Sequence, residues 1–489
     1  MTRKIVTVVI SLLSLVPVLC VTVRAAEPPP GGPLSLSIAE AVVGSLTNNR
    51  SLEVQRVAPE IARTGELAAE APFDTTVDGK LSGLSTRNPQ GADTALETSD
   101  TQRLTLGANR LFATGTTLGV GLDTVRSGSA DSASTRLGVN LTQALLQGRG
   151  SDVNLAAVRQ ARLDTAFSLS ELQGFTENLV AQVELACWDY LLAIRRVAIV
   201  ESSLRIAETQ FEEVRERISV GRMAEIEQAA AEAEVALRRE ALINARSSRD
   251  AGRLRLLRLV NPPGAAALSR EITITDVPVL PADDLAPIED HVALALRRRP
   301  ELTQARLQIE RGDLELVQTR NGLLPRLDLF ISLGATGYAA SFGDSLDVGD
   351  GHDLSAGLTL RLPLGNSAAK AADRRAVLSR RQAEISLENL AQLVEVDVRG
   401  AWIEAGRLRE QVAATTATRR LQNEKVRAET EKFRVGKSTA FLVAQAQRDL
   451  LQAENDAVTA AAGLLKTLVE CYRLEGTLLE RRGITLAER

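Results

Sequence analysis

Two long stretches without proline constrain this chain more than any other feature. Residues 151–220 and 366–435 each run for 70 residues with no proline, and a glycine lies at both ends of each stretch. A continuous helix of that length reaches on the order of 100 Å at about 1.5 Å per residue, far beyond a compact domain. We therefore expect the helices to form a long bundle or tube.

The two stretches belong to an internal duplication. Gly150 and Gly365 lie 215 positions apart, and so do Gly221 and Gly436. Further upstream, a short apolar pattern recurs at an offset of 250, where residues 38–52 align with residues 288–302. Each half is predicted to contain a short helix, strands, a long helix, a turn and a second long helix. The predicted units are a first repeat at 27–260, a linker at 261–287 and a second repeat at 288–489.

The helices that follow the two turns carry a seven-residue apolar repeat. Its members in the two halves are Ala229, Ala236 and Ile243, and then Ala444, Leu451, Val458 and Leu465. Small residues at such positions let neighbouring helices approach closely. We expect two coiled-coil hairpins with these residues in their seams.

The N-terminus has the features of a targeting segment. Arg3 and Lys4 precede an apolar run at 5–23, and the small residues Ala25 and Ala26 follow it. This pattern predicts a secretory signal peptide at residues 1–26. Two alternatives stay open: an uncleaved membrane anchor, or a lipoprotein signal that uses Cys20.

The segments between the helical parts alternate with a period of two. Apolar residues alternate with Gly, Thr, Asn or Asp at 104–109, 118–123 and 137–142, and the second half repeats this at 327–332 and 358–362. Such strands fit either a half-buried soluble sheet or a membrane barrel with a wet lumen, and the signal peptide favours the barrel. The strands are too few to close a barrel alone, which predicts an oligomer. An extra hairpin at 112–116 leaves the number of strands open.

Composition argues against most enzymes and against nucleic-acid binding. The chain has two histidines, three cysteines and 3% aromatic residues, and its formal net charge is −4. These numbers leave little for metal or histidine chemistry and provide no basic footprint for a polyanion. We expect no catalytic residue, no cofactor, no metal site and no nucleic-acid partner.

The order of these elements resembles the outer-membrane efflux family, the TolC-like outer membrane factors. The residues that carry the resemblance are 141–148 at a strand end, 299–302 after the repeated short helix, 324–327 before a strand, and the two Val-Gly turns. The resemblance implies a mainly α protein with a β-barrel. In that family the long helices of a homotrimer form a periplasmic α-barrel, and the strands close one shared barrel in the outer membrane.

The resemblance also implies a function and its partners. The implied function is a passive exit duct of a tripartite efflux or type I secretion system in the outer membrane. Its partners would be a periplasmic adaptor protein, an inner-membrane pump and the lipid of the outer membrane. The exported substrate stays open.

The resemblance further implies where the adaptor docks and where the duct narrows. The docking turns would be Val220, Gly221 and Arg222 in the first half, and Val435, Gly436 and Lys437 in the second. Ordinary helix C-caps explain the same two glycines. Candidates for the periplasmic aperture are Glu225, Glu227, Phe433, Leu442 and Gln445. A solvated helix face explains the two glutamates equally well.

Two other classes of protein compete with the exit duct. The alternative function is a periplasmic coiled-coil adaptor or scaffold without a membrane barrel, which would need soluble β-domains in place of the alternating strands. An enzyme on a helical scaffold would need polar residues that converge from separate segments, and the sequence offers no such set.

Overall fold

The computed structural model describes residues 34–89, 96–128, 132–264, 267–281, 286–341, 343–349 and 351–485. The predicted signal peptide and Cys20 lie outside the described residues. The first part of the chain forms β1 (Leu34–Leu36), α1 (Ile38–Asn48), α2 (Arg50–Glu70), β2 (Thr76–Pro89), β3 (Leu96–Leu111), β4 (Thr116–Ser127), β5 (Ser132–Ala144), α3 (Ser151–Asn154), α4 (Ala156–Ser219) and α5 (Ile226–Val260). The second part forms β6 (Ile272–Ile274), α6 (Ile288–Arg298), α7 (Pro300–Gly322), β7 (Arg326–Ala339), β8 (Gly351–Arg361), α8 (Ser367–Arg434), α9 (Ala440–Leu474) and α10 (Leu478–Arg481).

In each half, a single capping residue separates the two short helices. The Ser37 side chain accepts a hydrogen bond from the Glu40 amide, and the Glu40 carboxylate accepts one from the Ser37 amide, so a capping box starts α1. Asn49 then ends α1 and caps α2 through its side-chain oxygen. In the second half, Arg299 takes the place of Asn49, and Pro300 occupies the first position of α7, where proline is tolerated.

The two long helices have the predicted length. α4 contains 64 residues and α8 contains 68, each on the order of 100 Å. Each folds back on the helix that follows it, α4 on α5 and α8 on α9, and α9 also packs against α4. The two helical hairpins therefore lie side by side.

The seam predicted for α5 is wrong. Ile243 is 69% exposed, and Ala229 and Ala236 are also exposed. The inward positions of α5 are instead taken by their neighbours, among them Val235 and Leu242. The buried ion pair of Glu234 and Arg238 occupies two further inward positions. Because these two residues are polar, the spacing of apolar residues does not reveal the inner face of α5. In α9 the predicted Leu465 is buried, whereas Ala444, Leu451 and Val458 are half-buried.

The main core lies about midway along α4, between the sheet and the two Val-Gly turns. It joins the middle of α4 to the end of α5, with Val180, Val183, Leu256 and Leu257 fully buried. β1 pairs in parallel with β6, and the Tyr190 hydroxyl donates a hydrogen bond of 3.0 Å to the Ile272 carbonyl. A second core joins α6 and α7 to α8.

All the longer strands belong to one antiparallel sheet. Its order is β2-β3-β4-β5-β7-β8, so the first half supplies four strands and the second half supplies two. β5 and β7 join the halves in a continuous ladder. The expected hairpin at 112–116 is present as the turn between β3 and β4. Among the described residues, no helix combines the length and the apolarity needed to cross a membrane.

Candidate transport wall and helical tips

The sheet has one apolar face and one polar face. Neighbouring residues of a strand point to opposite faces, so each cross-strand row belongs to one face. One row contains only apolar residues: Val77, Ala108, Val120, Val139, Leu333 and Leu354. The adjacent row contains only polar residues and one glycine: Thr76, Asn109, Gly119, Asn140, Ser332 and Ser355. The alternation predicted from the sequence thus extends across all six strands.

Most of the apolar face has no cover among the described residues, although the segment around Ser345 packs over its end at Thr135. Val77 at one edge is 79% exposed and Leu354 at the other edge is 71% exposed. Contiguous exposed apolar surface of this extent marks contact with a membrane or another protein. An apolar outer band with a polar inner face is the pattern of a transmembrane β-barrel.

Ion pairs cross the polar face of the sheet. The Arg136 guanidinium on β5 reaches over β7 and contacts Asp353 on β8, with N–O distances of 3.1 and 2.5 Å. The glycine at 334 makes this possible, because a Cβ there would lie 2.6 Å from Arg136 Nη2. On β4, Asp123 accepts a hydrogen bond of 3.1 Å from Thr105. The polar face therefore carries fixed charges of both signs.

The two helical tips have the same backbone geometry. Gly221 has φ +70° and Gly436 has φ +74°, a left-handed conformation that glycine adopts without a Cβ clash. The Arg222 amide donates 2.8 Å to the Arg217 carbonyl, and the Lys437 amide donates 2.7 Å to the Lys432 carbonyl. The Gly221 amide donates 2.9 Å to the Ile218 carbonyl and the Gly436 amide donates 3.1 Å to the Phe433 carbonyl, so each turn is a Schellman motif. Val220 and Val435 are exposed at these tips.

One predicted aperture residue joins the two tips. Phe433, near the end of α8, is 5% exposed, and the Arg217 guanidinium at the end of α4 lies 4.3 Å from the centroid of its ring. This cation–π contact holds the ends of the two long helices together. Sequence reasoning named Phe433 but did not identify Arg217 as its partner.

The other predicted aperture residues lie on the first turns of the returning helices. Glu225 is exposed just before α5, and Glu227 is half-buried in its first turn. Leu442 and Gln445 are exposed near the start of α9. Glu227 lines a groove together with Phe441 of α9.

A buried charge cluster above the tips was missed by the sequence analysis. Glu234 and Arg238 of α5 are both buried and lie 2.5 Å apart, and Arg448 of α9 approaches the second Glu234 oxygen at 3.3 Å. The cluster connects one hairpin to the other. The spacing of four residues between Glu234 and Arg238 was its only signal in the sequence.

A second buried carboxyl lies where α4 meets α7. Glu177 is 3% exposed, and this burial, reinforced by the nearby charge of Glu301, raises the pKa of its carboxyl to about 7. Ser170 on the same helix donates a hydrogen bond of 3.1 Å to the Pro300 carbonyl. Glu177 therefore changes charge near neutral pH inside a packed helix contact.

The described residues provide no cluster of three acidic, histidine or cysteine side chains that could hold a metal ion. His291 is buried, and its Nδ1 lies 2.5 Å from the carboxylate of Glu475. Cys187 and Cys471 are buried thiols, and burial raises the pKa of each to about 12. Such thiols are poor nucleophiles and poor metal ligands at neutral pH.

A two-faced sheet joined to a pair of long helical hairpins is also the fold of several solved outer membrane channels. Three solved structures share the fold. They are the CmeC outer membrane channel of Campylobacter jejuni (TM-score 0.71, 14% identity, covering 90% of this chain and 86% of that one), the outer membrane protein VceC of Vibrio cholerae (0.68, 16%, 90% and 96%) and the open state of the MtrE outer membrane channel of Neisseria gonorrhoeae (0.66, 18%, 90% and 89%).

A sequence comparison supports a family resemblance over part of the chain. Residues 292–477 match the family model described as outer membrane efflux protein, which confirms the predicted resemblance to that family. None of the curated protein sequences compared with this chain matches it. The predicted fold class, mainly α with long helices and a strand wall, is also confirmed.

Proposed function

We propose that this protein is the outer-membrane exit duct of an efflux or type I secretion system. Substrate passes along the polar face of the strands after it leaves the helical tube, and no bond is made or broken. The observation that carries this proposal is the pair of adjacent rows, one wholly apolar and one polar, that run across all six strands. The family match at 292–477 supports the same function.

The duct is a homotrimer in this proposal. A single sheet of six strands leaves two open edges, β2 and β8, whose backbone groups need partners in lipid. Further copies of the same chain supply those partners and close the wall. The side-by-side helical hairpins of the copies then form the tube below it.

The helical tips are the proposed docking surface for a periplasmic adaptor, which couples the duct to an inner-membrane pump. Both tips present an exposed valine next to a fixed Schellman turn, so two equivalent surfaces arise from the duplication. The aperture is proposed at the same end, around Glu225, Glu227, Phe433, Leu442 and Gln445. Its charge would come from the two glutamates.

Neighbouring residues of β5 provide a direct test of the wall. Val139 belongs to the apolar row and Asn140 to the polar row. An arginine on the lipid face of a barrel costs about 2–4 kcal/mol at the bilayer centre, whereas a lumen position tolerates it. We expect Val139→Arg to reduce recovery of the protein from the outer membrane strongly and Asn140→Arg to leave it near wild type.

Channel activity completes this test. The wild-type protein and Asn140→Arg, purified from outer membranes and reconstituted in planar bilayers, should both conduct ions. Equal recovery of the two arginine variants, or a wild-type protein found soluble in the periplasm, would contradict the proposal and favour a periplasmic scaffold.

A further inference from the structure

The first half of the chain contains a strand hairpin that the second half lacks. In the second half, α7 ends at Gly322 and the first strand of the sheet, β7, begins at Arg326. In the first half, α2 ends at Glu70, and β2 and β3 precede β4, the strand that occupies the position of β7. The duplication thus pairs β4–β5 with β7–β8, and β2–β3 is an insertion.

The inserted hairpin has the features of the wall itself. β2 and β3 contain 14 and 16 residues, as long as the other strands of the sheet. β3 pairs with β4 without interruption from Leu111↔Thr117 to Thr101↔Ser127. The apolar row continues into the hairpin through Ala108 and Val77, and the polar row continues through Asn109 and Thr76. A plug or a soluble appendage would have no reason to keep both faces in register.

We infer that the outer-membrane barrel has eighteen strands, six from each of three copies, and that β8 of one copy closes on β2 of the next. This inference rests on the proposed function. The two edge strands run in opposite directions, because β2 leaves the helical part of the chain and β8 returns to it. The junction is then antiparallel, like every other pairing in the sheet.

The ladder also predicts the register of this junction. The row that starts at Thr76, the first residue of β2, reaches Ser355 on β8, six residues before the last residue of that strand, Arg361. If the strand ends of all copies lie at one level, Arg361 of one copy lies opposite Thr76 of the next. Ser355, six residues before Arg361, then lies opposite Ser82, six residues after Thr76. This register places the polar residues Ser355 and Ser82 opposite each other, and it sets Ala356 opposite Leu81 on the apolar face.

The inserted hairpin makes the outlet wide. Strands about 4.8 Å apart with a tilt of about 40° give a barrel of eighteen strands a backbone diameter of about 36 Å, against about 24 Å for twelve. The outlet therefore admits bulky solutes, and selection by size falls to the helical tips.

Cysteine cross-linking tests the junction directly. In the full chain with Cys20, Cys187 and Cys471 replaced by alanine, Ser82→Cys is combined with Ser355→Cys. Outer membranes are treated with an oxidant or a short bis-maleimide and analysed on denaturing gels. We expect a covalent trimer, whereas either single cysteine variant should give none.

A second pair tests the narrower alternative. If the inserted hairpin lay outside the wall, β8 would close on β4, and Ser355 of one copy would lie near Asp123 on the same polar face of the next. In the eighteen-strand barrel these two positions are three strands apart, about 14 Å. Ser355→Cys with Asp123→Cys should therefore give no covalent trimer.

The outcomes separate this inference from the proposed function. Cross-linking of the Asp123→Cys pair, or a trimer in which neither pair cross-links, overturns the eighteen-strand barrel and leaves the exit duct intact. A water-soluble protein in which neither pair cross-links overturns the exit duct itself.

Discussion

At the scale of single residues, the buried carboxyl of Glu177 sets a pH dependence. The pKa of this group is about 7 in the folded protein and 4.5 in its ordinary state, so the folded protein binds one more proton between these values. Stability therefore falls as the pH rises from about 4.5 to about 7, and the loss is fully present above pH 7. A shift of this size corresponds to about 3 kcal/mol.

We expect Glu177→Gln to remove this dependence. The amide stays neutral, so the variant should unfold at a higher temperature than wild type at pH 8 and near the wild-type temperature at pH 5. Thermal unfolding of detergent-solubilised protein at the two pH values measures the effect. Glu171→Gln, at an exposed position of the same helix, is the control and should change neither value. A variant no more stable than wild type at pH 8 would contradict the assignment.

The tip glycines make a second prediction at this scale. Gly436 has φ +74°, and a side chain in this conformation costs about 1 kcal/mol. Gly436→Ala should therefore speed hydrogen exchange of the turn amides about fivefold and weaken adaptor binding. Gly400→Ala is the matched control, because Gly400 lies inside α8 with open space around it. Unchanged exchange at the turn would show that the strain is absent.

At the scale of elements, the strands β5, β7 and β8 are joined by an ion pair that needs a glycine. Arg136 reaches Asp353 only because Gly334 has no side chain on the strand between them. Both partners are partly exposed, so water screens the attraction between them and the pair contributes little to stability. Its role is to fix three strands and two charges on the polar face.

We expect Gly334→Ala to displace the Arg136 guanidinium and break this pair. The temperature at which the protein loses its heat-modifiable migration on gels should fall by about 1 °C, because a given loss of stability shifts this temperature less in a long chain. Gly121→Ala is the control, because a Cβ there would meet only the Leu106 carbonyl at an ordinary 3.6 Å. In an Arg136→Ala background, Gly334→Ala should have little further effect. A drop of the same size in that background would contradict the mechanism.

At the scale of the whole molecule, the sequence predicted the features that depend on spacing. The duplicated glycines predicted the helical tips, the proline-free stretches predicted the long helices, and the apolar alternation with a period of two predicted the strands. The strand count stayed open because the inserted β2–β3 hairpin has no counterpart in the second half. The α5 seam was wrong because apolar spacing does not reveal a buried ion pair such as Glu234 and Arg238. The contact between Arg217 and Phe433 joins residues from different repeats, which no local pattern connects.

The central claim is that several copies of this chain close one wall in the outer membrane. The most direct measurement is the mass of the detergent-purified protein, taken from the outer-membrane fraction and measured by native mass spectrometry. We predict three copies of the mature chain and no other protein subunit. A single copy that stays water-soluble without detergent would contradict the account.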